Sequence, residues 1–111
     1  MRDVRLINAT CPECRGPLSA VVEDGVREYR CLVQHRYSDA ALLHAHSETQ
    51  ERTLWAALLV LEEAAVLARE VAAHHPETRA NLLRQAAAKQ EQADVIRSLL
   101  ERFEPFVTDR E

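Results

Sequence analysis

Cys11-x2-Cys14-x16-Cys31-x3-His35 is the spacing that most limits what this chain can become. It supplies four soft or borderline donors in two pairs, the ligand set of a tetrahedral zinc ion. Two residues between ligands let the backbone curl around one metal while nearby amides point at the thiolates. Pro12 stiffens the first loop, and Gly16 is expected to permit its tight turn. The sixteen-residue gap suits a hairpin that returns the chain to the second pair.

Two other readings compete with the metal. A C-P-x-C dithiol also occurs in redox proteins, where the reactive cysteine opens a helix inside a βαβ unit. Here Arg15-Gly16-Pro17 follow at once, poor material for starting a helix, and no βαβ pattern comes after. Buried free cysteines would leave the paired spacing a coincidence. Four protein ligands also fill a tetrahedron and leave no place for a reactive water, so the expected zinc is structural, not catalytic. A module this small is expected to need its metal to fold. Arg15, Arg30 and Arg36 adjoin the ligands and are expected to offset the negative charge of three thiolates and one imidazole. His44 or His46 is an alternative fourth ligand. His74 and His75 suit a helix C-terminus, Trp55 a core or interface anchor, and Glu62-Glu63 a solvated helix face.

Several function classes are disfavoured by composition. The net charge is −4 over 111 residues. Residues 1–37 carry six arginines against five acids, and residues 38–111 carry eight basic side chains against thirteen acids. Neither half offers the basic face of a nucleic-acid binder. The longest apolar run, "LWAALLVL" at residues 54–61, falls far short of the ~20 residues that span a bilayer. The N-terminus has no apolar signal segment. A cytoplasmic protein with reduced thiols is expected, and an odd cysteine count agrees with that. No catalytic triad, phosphate loop or nucleotide fingerprint is visible, so no enzyme is expected.

The pattern changes near Tyr37–Ser38. Residues 1–37 read as a zinc-knuckle or ribbon module with one β-hairpin, turning at Glu23-Asp24-Gly25 between Val21-Val22 and Val26 to Tyr29. Residues 38–111 read as an antiparallel helical hairpin, with helices at about 39–75 and 76–104. Ser38 or Asp39 can cap the start, and Ser47 with Gln50 offers a second start, so one helix or two fit residues 39–75. Leu54, Leu58, Leu61, Ala65, Ala68 and Ala72 recur every four and three residues. Leu82, Ala86, Lys89, Ala93, Ile96, Leu100 and Phe103 continue the rhythm after His75-Pro76, with Pro76 expected to open the second helix. That helix, near 28 residues, would be roughly 42 Å long. Trp55, Leu59, Val60 and Val66 lie off the seam, so a further surface is expected to cover them. Either the zinc module folds back over them or a second chain does, and a homodimer forming a four-helix bundle is the expected cover. The fold class is therefore mainly α, with a small N-terminal zinc-ribbon-like hairpin.

The stretches "TCPECRGPL", "REYRCLVQHRYS" and "LLHAHSETQERTLWAALLVLEE" resemble the region appended after the catalytic domain of some bacterial chemotaxis-type protein-glutamate methylesterases. The resemblance covers residues 10–67. It rests on Cys11, Cys14, Gly16 and Leu18, then Cys31, His35 and Tyr37, then Leu54 to Leu58. Gln34 stands where that pattern has glycine, and the esterase domain itself has no counterpart here. The resemblance implies an accessory module, not an esterase, and the function expected of this chain is a protein-interaction module with a signalling-protein partner. Two other function classes stand beside it: a nucleic-acid-binding zinc ribbon, and a metal or redox sensor.

Overall fold

Asp24 and Gly25 both take positive φ, 54° and 80°, and close a two-residue turn of the kind that matches strand twist. Glu23 faces Val26 across it. The turn joins β2 (Pro17–Glu23) to β3 (Val26–Arg30), as the Asp-Gly signal implies. The hairpin is not alone. β1 (Arg2–Thr10) pairs antiparallel with β2, and the two-residue β4 (Arg36–Tyr37) pairs with β3, giving a four-stranded sheet in the order β1-β2-β3-β4. Three or more strands resolve the marginal stability of an isolated hairpin. This computed structural model describes residues 1–107, and two helices follow the sheet: α1 (Asp39–Ala72) and α2 (Arg79–Glu101).

The chain forms two compact units. The first comprises Met1–Thr49 together with the segment that begins at Pro105. The expected division fell at Tyr37–Ser38, but the opening turns of α1 belong with the sheet. The reason is packing: Leu42 and Ala45 lie against the buried cluster of Cys11, Leu18, Cys31 and Tyr37, with Ile7 and Tyr29 at its margin. Ser38 caps α1, its Oγ accepting from the Ala41 amide at 3.1 Å. Ser47 does not open a second helix. It is buried within a single 34-residue helix, and its Oγ accepts from the Phe106 amide at 2.8 Å. Of the expected 38–111 span, residues 108–111 lie outside the described residues.

The second unit, Gln50–Glu104, is the helical hairpin. Arg97 meets Glu62 at 2.6 Å, and Arg79 reaches Ala72, so the two helices run antiparallel. The buried positions repeat every seven residues: Leu58, Ala65 and Ala72 on α1, Ala86 and Ala93 on α2. The other seam positions are half-buried, except Lys89, whose place Gln90 takes. α2 is shorter than expected, 23 residues and so about 35 Å. Pro76 sits in the turn instead of opening the helix, which Thr78 precedes. The guanidinium of Arg79 donates to the Ala72 and Ala73 carbonyls at 3.0 and 3.3 Å, satisfying the exposed end of α1. His74 and His75, expected to serve that end, pair with Glu70 and Glu77. Among the described residues no helix is long and apolar enough to cross a membrane.

A seam of alanines sets a close helix approach that larger side chains cannot enter. Ala93, fully buried, is the sharpest test. Ala93→Leu should destabilise the hairpin by about 1–3 kcal/mol, read by chemical denaturation. A change within experimental error would show that the seam is loosely packed.

Candidate metal centre

Two loops of like design carry the four donors. In the first, the Cys11 amide donates to the Gly16 carbonyl at 2.7 Å, and the Arg15 amide to the Cys11 carbonyl at 2.8 Å. In the second, the Cys31 amide donates to the His35 carbonyl at 3.2 Å, and the Gln34 amide to the Cys31 carbonyl at 3.0 Å. Each loop passes through the left-handed region at a non-glycine residue, Arg15 at φ 64° and Gln34 at φ 71°. Gly16 therefore does not supply the expected positive-φ turn, because Arg15 does. A Cβ at Gly16 would stand 3.4 Å from Cys14 Sγ, at the edge of ordinary contact.

The loops bring all four expected ligands together. Their donor atoms lie within 4.8 Å of one another and could hold one metal ion. Cys14 Sγ is 3.7 Å from Cys31 Sγ, and His35 Nδ1 is 3.5 Å from Cys11 Sγ and 3.2 Å from Cys31 Sγ. Cys11 and Cys31 are buried beneath the sheet's core, whereas Cys14 is exposed. His44 and His46 stand outside the cluster. His44 pairs with Glu48, and His46 lines a shallow cleft with Ile7 and Thr10.

Glu13 and Tyr37 complete the surroundings. One Glu13 oxygen lies 3.3 Å from His35 Nε2, and the other accepts from the Tyr37 hydroxyl at 3.2 Å. The same hydroxyl is 3.3 Å from Cys11 Sγ. A carboxylate beside Nε2 favours the proton there in the neutral ring, so that Nδ1, which faces the sulfurs, is the nitrogen placed to ligate a metal. Glu13 is one of the two residues between Cys11 and Cys14, and nothing in its spacing marks it. Arg30, expected to balance the thiolates, is instead committed to Glu28 at 2.7 Å and Glu23 at 3.9 Å.

The electrostatics follow from this packing. Burial opposes the Cys11 thiolate, but the Tyr37 hydroxyl, the Cys14 and Glu13 amides and the Cys14 side chain outweigh it, and its thiol is lowered to about 6. Burial also opposes the Cys31 thiolate, and the His35 and Val33 amides prevail, so it too is lowered. At Cys14 the Gly16 amide favours the thiolate, but burial and the neighbouring Cys31 and Cys11 sulfurs push the thiol up. Hydrogen bonds to the Cys11 and Cys31 sulfurs raise His35. Three crowded sulfurs thus resist joint ionisation, which is the condition a bound cation relieves.

Compared with protein-family profiles, curated proteins and solved structures, the chain matches none.

Two substitutions probe the site. Left-handed backbone costs a side-chain-bearing residue about 1–2 kcal/mol, part of which glycine's greater freedom in the unfolded chain cancels. Gln34→Gly should therefore stabilise the protein by about 0.5–1 kcal/mol in denaturant titration, and a loss of stability would mean that the Gln34 side chain contributes contacts of its own. Glu13→Gln should weaken metal retention about 10–100-fold in chelator competition, with the fold intact by circular dichroism. Unchanged retention would reduce Glu13 to a surface carboxylate.

Proposed function

We propose that this chain is a non-enzymatic, zinc-stabilised protein-interaction module that assembles as a homodimer through its helices and serves a signalling enzyme of the chemotaxis-methylesterase kind. The observation that supports zinc is the donor set itself, three thiols and one imidazole within 4.8 Å of one another, with three of its six edges comparable to those of a zinc tetrahedron. Zinc–sulfur bonds of about 2.3 Å and zinc–nitrogen bonds of about 2.0–2.1 Å give a tetrahedron with S···S edges near 3.8 Å and S···N edges near 3.6 Å. The 3.7 Å Cys14–Cys31 edge and the 3.5 Å Cys11–His35 edge fit those values, and the 3.2 Å Cys31–His35 edge is shorter by a few tenths. Cys11, Cys14, Cys31 and His35 would hold the ion, which supplies positive charge to three thiolates and cross-links the two loops. With four protein ligands no coordination position is left for a substrate, so the role is structural.

The interaction reading rests on what the helices expose. Trp55, Leu59, Val60 and Val66 are between 52% and 61% accessible, an expensive arrangement for a helix with no further partner. The signalling partner is supported by the resemblance of the two knuckles and the Leu54–Leu58 stretch to the methylesterase appendage. The locale that fits reduced thiols and this partner is the cytoplasm.

Elemental analysis of protein purified without added metal should give one zinc per chain, and Cys14→Ser should lose both zinc and the sheet's cooperative unfolding. Zinc-free protein with a normally folding Cys14→Ser variant would remove the metal reading. Titration against a chemotaxis-type methylesterase catalytic domain tests the accessory role. Failure to bind at micromolar concentration would separate this module from that enzyme.

A further inference from the structure

β1 leaves its outer edge open, and the hairpin beside it fixes which main-chain groups lie there. Glu23 and Val26 flank a two-residue turn, so they exchange both hydrogen bonds of a close pair. Alternation along β2 then turns Ser19, Val21 and Glu23 toward β3, and Ala20 and Val22 toward β1. Their partners on β1 are Arg5 and Asp3, so Arg2, Val4 and Leu6 aim their N–H and C=O groups outward. β1 ends the sheet, and among the described residues no main-chain group from elsewhere bonds to these three. Val4 and Leu6 are exposed as well, at 51% and 69%. An open edge of this length is a template for a further strand.

Charge selects the strand. Asp3 and Arg5 share the other face of β1, where their cross-strand neighbours are Val22 and Ala20. Neither has an ion-pair partner among the described residues. An antiparallel copy of β1 centred on Val4 sets Asp3 opposite Arg5 of the second copy, and Arg5 opposite its Asp3. Both are non-hydrogen-bonded pairs, the kind whose side chains lie closest. On the opposite face Val4 meets Val4, and the Arg2 stem lies along Leu6. The outward groups of Arg2, Val4 and Leu6 meet those of Leu6, Val4 and Arg2, giving about six main-chain hydrogen bonds, two from each pair. Neighbouring registers fail on the same grounds. Centring on Asp3 or on Arg5 opposes like charges, and centring on Leu6 draws the irregular stretch between Leu6 and Thr10 into the ladder.

We propose that β1 is a self-recognition edge, where two copies of the chain join their sheets antiparallel about Val4 with crossed Asp3–Arg5 pairs. The contact belongs to the first unit and does not rest on the helical assembly proposed above. About seven residues a side make a small interface, so the pair is reversible, with a dissociation constant on the order of 100 µM. Two different two-fold contacts in one chain would link copies into larger assemblies, so the strand contact is best read at its own amides instead of from mass.

Amide hydrogen exchange on the full chain provides that reading. Between about 50 µM and 1 mM protein, exchange at Val4 and Leu6 should slow about threefold as the paired fraction rises. Asp3→Arg sets an arginine against Arg5 of the second copy, and Arg5→Asp sets an aspartate against its Asp3. Each alone should weaken the pair about thirtyfold, which leaves little concentration dependence. An equimolar mixture of the two variants should restore it, because both crossed pairs are then opposite in sign. The double exchange Asp3→Arg/Arg5→Asp in one chain should restore it too. Val4→Pro removes an outward N–H without touching a bond to β2, and should abolish the effect at Leu6 with the sheet intact by circular dichroism. Native rates independent of protein concentration would overturn the proposal, as would single exchanges without effect or a mixture that fails to restore pairing.

Discussion

Three thiols and an imidazole gathered within 4.8 Å are the constraint on which the first unit depends. Left metal-free, they oppose one another: two sulfurs ionise readily and the third is pushed the other way. The sheet gains its buried cluster from the same residues, since Cys11 and Cys31 are half of the four side chains at its centre. Donor cluster and core therefore share two residues: Cys11 and Cys31 serve both, whereas Cys14 is exposed and His35 lies outside the buried cluster.

The loops show how the chain accommodates that constraint. A knuckle needs one residue in the left-handed region so that successive amides can face sulfur. Glycine would supply this at no steric cost, yet Arg15 and Gln34 occupy both positions. Strain of this kind persists only where surrounding contacts over-determine the conformation. Here the paired hydrogen bonds of each loop, and the ligand at its end, do so.

The candidate ligand set was legible because short spacing sets the donors of each pair side by side and a hairpin-length gap returns one pair to the other, and the Asp24-Gly25 turn because few dipeptides tolerate two positive φ values in succession. The helical seam was equally legible, since Leu58, Ala65, Ala72, Ala86 and Ala93 keep their period to the ends. β1 was not. It is an edge strand with Val4 and Leu6 exposed, so it lacks the alternating burial that identifies a strand. Glu13 was invisible for a different reason: its role is defined by a three-dimensional approach to His35 and Tyr37. The boundary between units was misplaced because the change of periodicity at Ser38 marks where helix begins, while the packing of Leu42 and Ala45 decides where the core ends.

Alanine seams carry a consequence for the second unit. Burial stabilises in proportion to apolar area, about 25 cal/mol per Å², and an alanine contributes a single methyl. Of the five buried seam residues in the hairpin, four are alanine. The ion pair between Glu62 and Arg97 is partly exposed and adds at most about 1 kcal/mol. Fifty-five residues ordered around so small a core sit at the lower limit for independent folding. The apolar area such a hairpin needs is present in its sequence, but on the flanks, where Leu67, Val60 and Trp55 remain accessible. A close-packed alanine seam lets the two helices approach but leaves most of the hairpin's larger apolar side chains outside the area it buries.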